Sequence, residues 1–96
     1  MITIPLKSGA ENARQTFTVT LGGNMIEITL QYLSYVGEPM WVLDAKIDGF
    51  PLVLGRGLQP NGVINLGNNY GKLVFVGGKA TLNNLGESNQ LIWVIE

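Results

Sequence analysis

The sequence predicts an all-β protein, a single small β-sandwich or β-barrel of about seven or eight short, mostly antiparallel strands. Three observations lead to this class. Apolar residues recur at every second position in the longer segments, as in strands with one buried face. Thirteen glycines and four prolines divide the 96 residues into short segments and leave no room for long helices. Glycine-containing dipeptides stand where tight turns would join consecutive strands.

The clearest strands are residues 16–21, 26–32 and 41–47, in which apolar and polar side chains alternate. Gly22-Gly23 separates the first two and favours the positive φ angles of a tight hairpin. Asp48-Gly49 follows the third and predicts a second two-residue turn.

Shorter strands are expected over residues 51–54, 63–66, 72–76 and 91–95. Between them we expect turns at residues 55–57, 68–71 and 77–78. The one helix candidate begins near Ser8, where Glu11 stands three residues on as in a capping box, and at most one turn could follow.

We expect residues 1–96 to form one all-β domain, because a second core would need roughly another 50 to 100 residues. The longest apolar run covers residues 91–95 and is far too short to span a bilayer. The first residues have neither a basic leader nor a long apolar stretch, so no signal peptide is expected.

Histidine and cysteine are both absent from the sequence. Their absence excludes histidine-based triads, thiol nucleophiles, disulfide scaffolds and Cys/His metal sites. Six basic and seven acidic residues give a net charge of −1, so no long-range field would collect phosphates or anionic lipid. Most enzyme chemistries are therefore excluded, and we expect no cofactor and no metal.

Two motifs resemble enzyme features only weakly. Residues 67–72 approach a phosphate loop but have three residues between the glycines and Leu73 after the lysine, which favours a hairpin loop. Asp44 and Asp48 are four residues apart and could form an acid–base pair. The Asp-Gly turn and a solvated strand face account for them better.

A binding module is the alternative function. A barrel for single-stranded nucleic acid would need a basic groove with aromatic residues, whereas the basic residues here are widely separated in the sequence. A glycan-binding module could use Tyr35, Tyr70 and Trp93 as stacking platforms. The sequence indicates no pocket for either ligand.

Two predicted strands, residues 73–76 and 91–95, have no polar face. In so small a domain one face of such a strand is expected to meet another subunit, although both strands could instead be central and covered by neighbours. The candidate interface residues are Leu91, Ile92, Trp93, Val94 and Ile95. We expect self-association or assembly with other proteins.

An ordered set of motifs runs across nearly the whole chain: Ile4-Pro5-Leu6, Gln15-x-Phe17, Ile26-x-Ile28-x-Leu30-x-Tyr32, Trp41-x-Leu43-Asp44, Gly49-x-Pro51-Leu52-Val53-x-Gly55, Gly71-x-Leu73, Leu85-Gly86 and Leu91-x-Trp93-Val94. This set resembles the small baseplate plug proteins of contractile-tailed bacteriophages.

The resemblance implies a non-enzymatic structural protein of the virion, located in the tail baseplate and assembled in the host cytoplasm. It implies a plug near the tail axis that packs against the hub and the tail tube, with spike proteins as further partners, and it implies no catalytic residues. Association with other copies of itself is expected from the apolar strands. From the charge balance we expect neither nucleic acid nor membrane as a partner.

Overall fold

Eight strands form two antiparallel four-stranded sheets in the computed structural model, which describes residues 2–34, 39–67 and 70–95. The strands are β1 (Ile2–Ile4), β2 (Arg14–Leu21), β3 (Asn24–Leu33), β4 (Met40–Ile47), β5 (Phe50–Gly57), β6 (Val63–Asn65), β7 (Lys72–Gly77) and β8 (Asn89–Val94). The first sheet has the order β1-β8-β7-β6, and the second has the order β2-β3-β4-β5. The predicted all-β class is confirmed, and the two sheets make it a sandwich.

The second sheet is a meander in which two-residue turns join β2 to β3 and β4 to β5. Gly22 and Gly23 have φ angles of 60° and 85°, and Asp48 and Gly49 have 50° and 82°. Two successive residues with positive φ form the type of turn whose twist matches that of the flanking strands. Both predicted hairpins are therefore confirmed.

The first sheet joins the two ends of the chain. β1 pairs with β8 through the partners Ile2 and Trp93, Thr3 and Ile92, and Ile4 and Leu91. No strand is predicted at residues 2–4, because three residues are too few to show an alternating pattern. β1 forms only because the edge of β8 is available for pairing, which is a tertiary effect.

One hydrophobic core lies between the sheets. The second sheet contributes the buried residues Leu21, Ile26, Ile28, Leu30, Trp41, Leu43 and Ala45. The first sheet contributes Ile4, Ile64, Leu73, Phe75, Leu91 and Trp93, and the connecting segments add Leu58, Leu66, Ala80 and Leu85. The alternate-residue pattern thus places its apolar rows inward, as predicted.

β5 is less regular than predicted. Its pairing with β4 shifts register on both sides of Ala45, and Gly55 within it has a φ of 65°. Asp44 Oδ1 accepts a hydrogen bond of 2.6 Å from Gly55 N–H and so stabilises the irregularity. The turn predicted at residues 55–57 is therefore wrong, since these residues continue the strand through a bulge.

The helix candidate is a single 3₁₀ turn over Ala10–Asn12. Its N-cap is Gly9, and no side chain caps it, so the predicted capping box is wrong. The Ser8 hydroxyl instead lies 3.4 Å from a carboxylate oxygen of Glu87. No helix in the described residues is long and apolar enough to cross a membrane.

Trp41 is fully buried and belongs to the inner row of β4. Its indole N–H donates to Thr81 O at 2.9 Å, and its ring meets that of Tyr32 edge-on with centroids 5.4 Å apart. The ring therefore links the second sheet to the segment between β7 and β8.

Replacing Trp41 with alanine should lower the free energy of unfolding by about 3 to 5 kcal/mol, because a large cavity would open in the core. Urea denaturation followed by circular dichroism measures the change. Thr20→Ala, at an exposed position of β2, is the control and should change stability by about 0.5 kcal/mol or less. A Trp41→Ala effect below about 1 kcal/mol would contradict the inward position of this ring.

Candidate functional site: the apolar surfaces of the sandwich

The predicted interface strand is the central part of the first sheet. Leu91 and Trp93 of β8 point inward and are 0% and 5% exposed. Ile92 and Val94 point outward and are half-buried, whereas Ile95 follows the strand and is 56% exposed. β8 has neighbours on both sides, so an interface contributed by this strand would consist of Ile92, Val94 and Ile95, with Leu91 and Trp93 supporting them from the core.

One end of the sandwich carries the turns of both predicted hairpins, and we call it the hairpin end. Trp93 closes it, because a Cβ built on Gly22 would lie only 3.2 Å from a carbon of the indole ring. The indole N–H donates to Tyr70 O at 2.8 Å, in the connection between β6 and β7. Trp93 therefore binds the connection between β6 and β7 in the first sheet and packs against the turn between β2 and β3 in the second sheet.

Exposed apolar side chains are concentrated at this end. Six large hydrophobic residues are exposed in the described part of the chain: Ile2, Met25, Phe50, Leu54, Val63 and Ile95. Four of them flank the hairpin end, since Ile2 pairs with Trp93, Met25 and Phe50 adjoin the two turns, and Ile95 follows β8. Phe50 is the most exposed at 73%. Met25 lies on the outer face of the second sheet, where it lines a groove with Thr18 and Lys46, so the apolar surface of the hairpin end consists of Ile2, Phe50 and Ile95. Neighbouring exposed apolar side chains mark an interaction surface more often than scattered ones do.

A groove continues this surface between the two sheets. It has a volume of about 350 Å³ and is lined by Ile47, Asp48, Phe50, Pro51, Leu52 and Tyr70. Phe50 pairs with Ile47, the last residue of the inner row of β4, and its side chain is exposed. The hairpin end therefore offers both a projecting ring and a shallow recess.

The outer face of the first sheet is a second apolar surface, consisting of Val63, Val74, Val76, Ile92 and Val94. Val63, Val74 and Ile92 are direct cross-strand neighbours and continue to Thr3 on β1. Val74, Val76, Ile92 and Val94 are half-buried by their neighbours in the sheet, and Val63 is 49% exposed. The two strands predicted to lack a polar face are β7 and β8, and both are central in the first sheet. Each carries one polar residue on the outer face, Lys72 on β7 and Gln90 on β8.

The candidate chemical groups serve structural purposes. Asp44 holds the β5 bulge, and Asp48 lies outside β4 in the turn, so the strand does not present the two carboxylates as a pair. Residues 67–72 lead into β7 and not into a helix, as expected for a hairpin loop, with Asn68 and Asn69 outside the described residues.

Of the predicted stacking platforms, the two in the described residues do not form an exposed aromatic surface. Trp93 is buried, Tyr70 is half-buried beside the groove, and Tyr35 lies outside the described residues. The basic residues Arg14 and Arg56 lie on opposite edge strands of the second sheet. The described residues therefore give no support to the nucleic-acid or glycan alternative.

Residues 1–96 match the family model described as "Cyanophage baseplate Pam3 plug gp18". The chain belongs to this family. The match covers the whole sequence, so the resemblance to baseplate plug proteins is confirmed and applies to both sheets. No curated protein matches the chain.

Membership in the baseplate plug family supports a structural role in the virion, in the tail baseplate. It also implies interaction with other baseplate components. The two apolar surfaces are the features of the described residues that fit such contacts best, because contacts between proteins bury apolar surface.

Two residues that the sequence pattern did not indicate, Asn84 and Asn89, shape the long connection between β7 and β8. Asn89 is 3% exposed, and its Oδ1 accepts a hydrogen bond of 2.7 Å from Gly86 N–H. Asn84 Oδ1 accepts one of 2.6 Å from Thr81 N–H. Asparagine is common in turns for this reason, but the sequence does not show which backbone groups it binds.

Gly71 supports Trp93 at the hairpin end and should not tolerate a side chain. A Cβ there would lie 2.6 Å from Val94 O and 2.8 Å from the indole nitrogen of Trp93. We expect Gly71→Ala to lower the free energy of unfolding by about 1 to 3 kcal/mol more than Gly67→Ala, as measured by urea denaturation.

Gly67 is the matched control for this prediction. It also has a positive φ, of 76°, but a Cβ there would meet nothing within 4 Å. Both variants bear a conformational cost of about 1 to 2 kcal/mol, and only Gly71→Ala adds the clash. Equal effects of the two substitutions would contradict the close packing of Trp93 on Gly71.

Proposed function

We propose that this protein is a non-enzymatic structural component near the axis of a contractile tail, where it packs against the hub and the tail tube and associates with further copies of itself. As a plug, it would close or line the central channel of the baseplate. The concentration of exposed apolar side chains at the hairpin end carries this proposal, together with membership in the plug family.

The hairpin end suits a contact that completes the stability of a small domain. Phe50 and Ile95 expose 73% and 56% of their surface to solvent, and burying such side chains is worth about 1.5 to 3 kcal/mol each. A partner that covers them would stabilise the folded chain by mass action. Low charge favours the same role, since only 14% of the residues are charged.

The outer face of the first sheet is the second surface in this proposal. Ile92 and Val94 lie on it, and Ile95 lies beside the hairpin end, so the C-terminal strand contributes to both surfaces. A rigid sheet face with aliphatic β-branched side chains presents a flat surface whose side chains lose little conformational freedom on binding.

The double variant Phe50→Asp/Ile95→Asp tests the hairpin end. We expect it to bind the purified hub and tail tube proteins of the same phage at least about tenfold more weakly than wild type, because each new carboxylate would lose its water on binding. Co-sedimentation and size-exclusion chromatography measure the complex.

The control is Leu54→Asp, which changes a residue of similar exposure, 59%, in the bulged part of β5 away from the hairpin end. It should bind as wild type does. Circular dichroism spectra and melting temperatures establish that all three proteins are folded. Unchanged binding by the double variant would contradict a contact at this end.

The outer face is tested by Ile92→Lys, with Gln90→Lys as the matched control on the same strand and face. A lysine at position 92 would lie in the row formed with Val74 and Thr3, whereas Gln90 is already polar and exposed. We expect only Ile92→Lys to weaken binding to the hub or the tube, by about tenfold or more, in the same assay. Equal binding by the two variants would remove this face from the proposal.

A further inference from the structure

The four sheet edges differ in how they are protected from pairing with another strand. β1 and β6 have three residues each, and β5 contains Pro51 and two shifts of register. These are devices by which proteins prevent edge pairing. β2 has none of them, since it pairs with β3 in unbroken register over eight residues and contains no proline, glycine or lysine. Within the described strands, β2 is the one long regular edge.

The hydrogen-bonding pattern shows which backbone groups of β2 point away from β3. Tyr32 N–H donates to Ala13 O at 2.8 Å, so these residues form a hydrogen-bonded pair next to the strand. Bonded and non-bonded pairs alternate in an antiparallel ladder, which makes residues 14, 16, 18 and 20 members of non-bonded pairs. Their N–H and C=O groups are directed to the free edge, and these residues are exposed.

The side chains of β2 suit a partner with the same sequence. The outer side of β2 carries an uncharged row of three threonines, Thr16, Thr18 and Thr20. On the inner side, Phe17 and Val19 are only partly buried against the core. Arg14 is the one charged residue of the strand and lies at its start. Antiparallel pairing of two such strands keeps the two arginines apart, whereas parallel pairing would bring them together.

We infer that β2 pairs antiparallel with β2 of a second copy, across a twofold axis at Thr18. This register places Thr16 opposite Thr20 and Phe17 opposite Val19. In each directly opposed pair, the two side chains then point to the same face of the joined sheet. Aromatic–β-branched pairs and threonine–threonine pairs are favourable neighbours. The two copies would share roughly six new backbone hydrogen bonds, with the two Arg14 residues roughly 27 Å apart along the strands.

This inference rests on the proposed self-association and names the strand that mediates it. The second sheets of the two copies would join into one continuous sheet. The outer face of the first sheet would remain free for other baseplate proteins, because it belongs to the opposite layer of the sandwich. Self-association and binding to the hub or tube therefore use different parts of the molecule and can be tested separately.

Thr18→Pro tests the edge, with Thr18→Ala as the control. Proline removes the N–H group that points to the free edge, and an edge strand tolerates it where that group faces solvent. Alanine removes the same hydroxyl but retains the N–H. Analytical ultracentrifugation of the full chain up to high micromolar concentration should show dimers for wild type and Thr18→Ala and loss of dimers for Thr18→Pro. A monomeric wild type, or dimers of Thr18→Pro equal to those of wild type, would overturn the inference.

Substitutions of opposite charge at Thr18 test the register without proline. They also test the β2 pairing if Thr18→Pro does not fold. In the inferred register the two side chains at position 18 are directly opposed, and like charges there are unfavourable. Thr18→Lys and Thr18→Glu should each be monomeric alone and should form a dimer when mixed. A mixture that is no more dimeric than the separate variants would overturn the pairing at Thr18.

The Phe50→Asp/Ile95→Asp variant separates this inference from the proposed function. Both residues are at the hairpin end and outside β2, so this variant should dimerise as wild type does. If it is monomeric while Thr18→Pro still dimerises, copies associate through the hairpin end. That result would overturn the β2 pairing and leave the role as a plug standing.

Discussion

The structure depends on two indole rings that close the opposite ends of a small two-layer core. Trp41 lies at the end of the second sheet where β4 begins, and its N–H group donates to Thr81 O. Trp93 lies at the hairpin end and donates to Tyr70 O. A buried indole must find an acceptor for its N–H group, so each ring ties a connecting segment to a sheet. No cysteine is present to do this by a disulfide.

The closure by Trp93 also explains why the hairpin end is an apolar surface. The ring is covered by Gly22 and Gly71, which have no side chains to shield the residues around it. Ile2 and Ile95 remain exposed beside the ring, and Phe50 is exposed next to the second turn. Exposed apolar side chains do not stabilise a protein that acts alone, whereas in a baseplate neighbouring proteins can cover them.

The elements that could be predicted from the sequence are those in which local pattern and tertiary environment agree. Alternation and the Gly-Gly and Asp-Gly turns were sufficient for β2 to β4, because each strand has one face in the core and a turn that sets its register. β1 and the β5 bulge were not predictable in this way. The first is stabilised only by pairing with β8, and the second depends on the Asp44 carboxylate accepting a bond from Gly55, eleven residues away in sequence.

The sequence by itself determined the class of fold, the inward rows of the long strands, the absence of histidine and cysteine chemistry, and the likeness to baseplate plugs. The candidate strand Leu91–Ile95 was identified by its apolarity, but apolarity does not distinguish a side chain in the core from one on a surface that a partner could cover. Only the tertiary structure separated Leu91 and Trp93 in the core from Ile92, Val94 and Ile95 outside it. It also brought Ile2, Met25, Phe50 and Ile95 to one end, because contacts between residues distant in sequence are decided by how the sheets pack and not by local pattern.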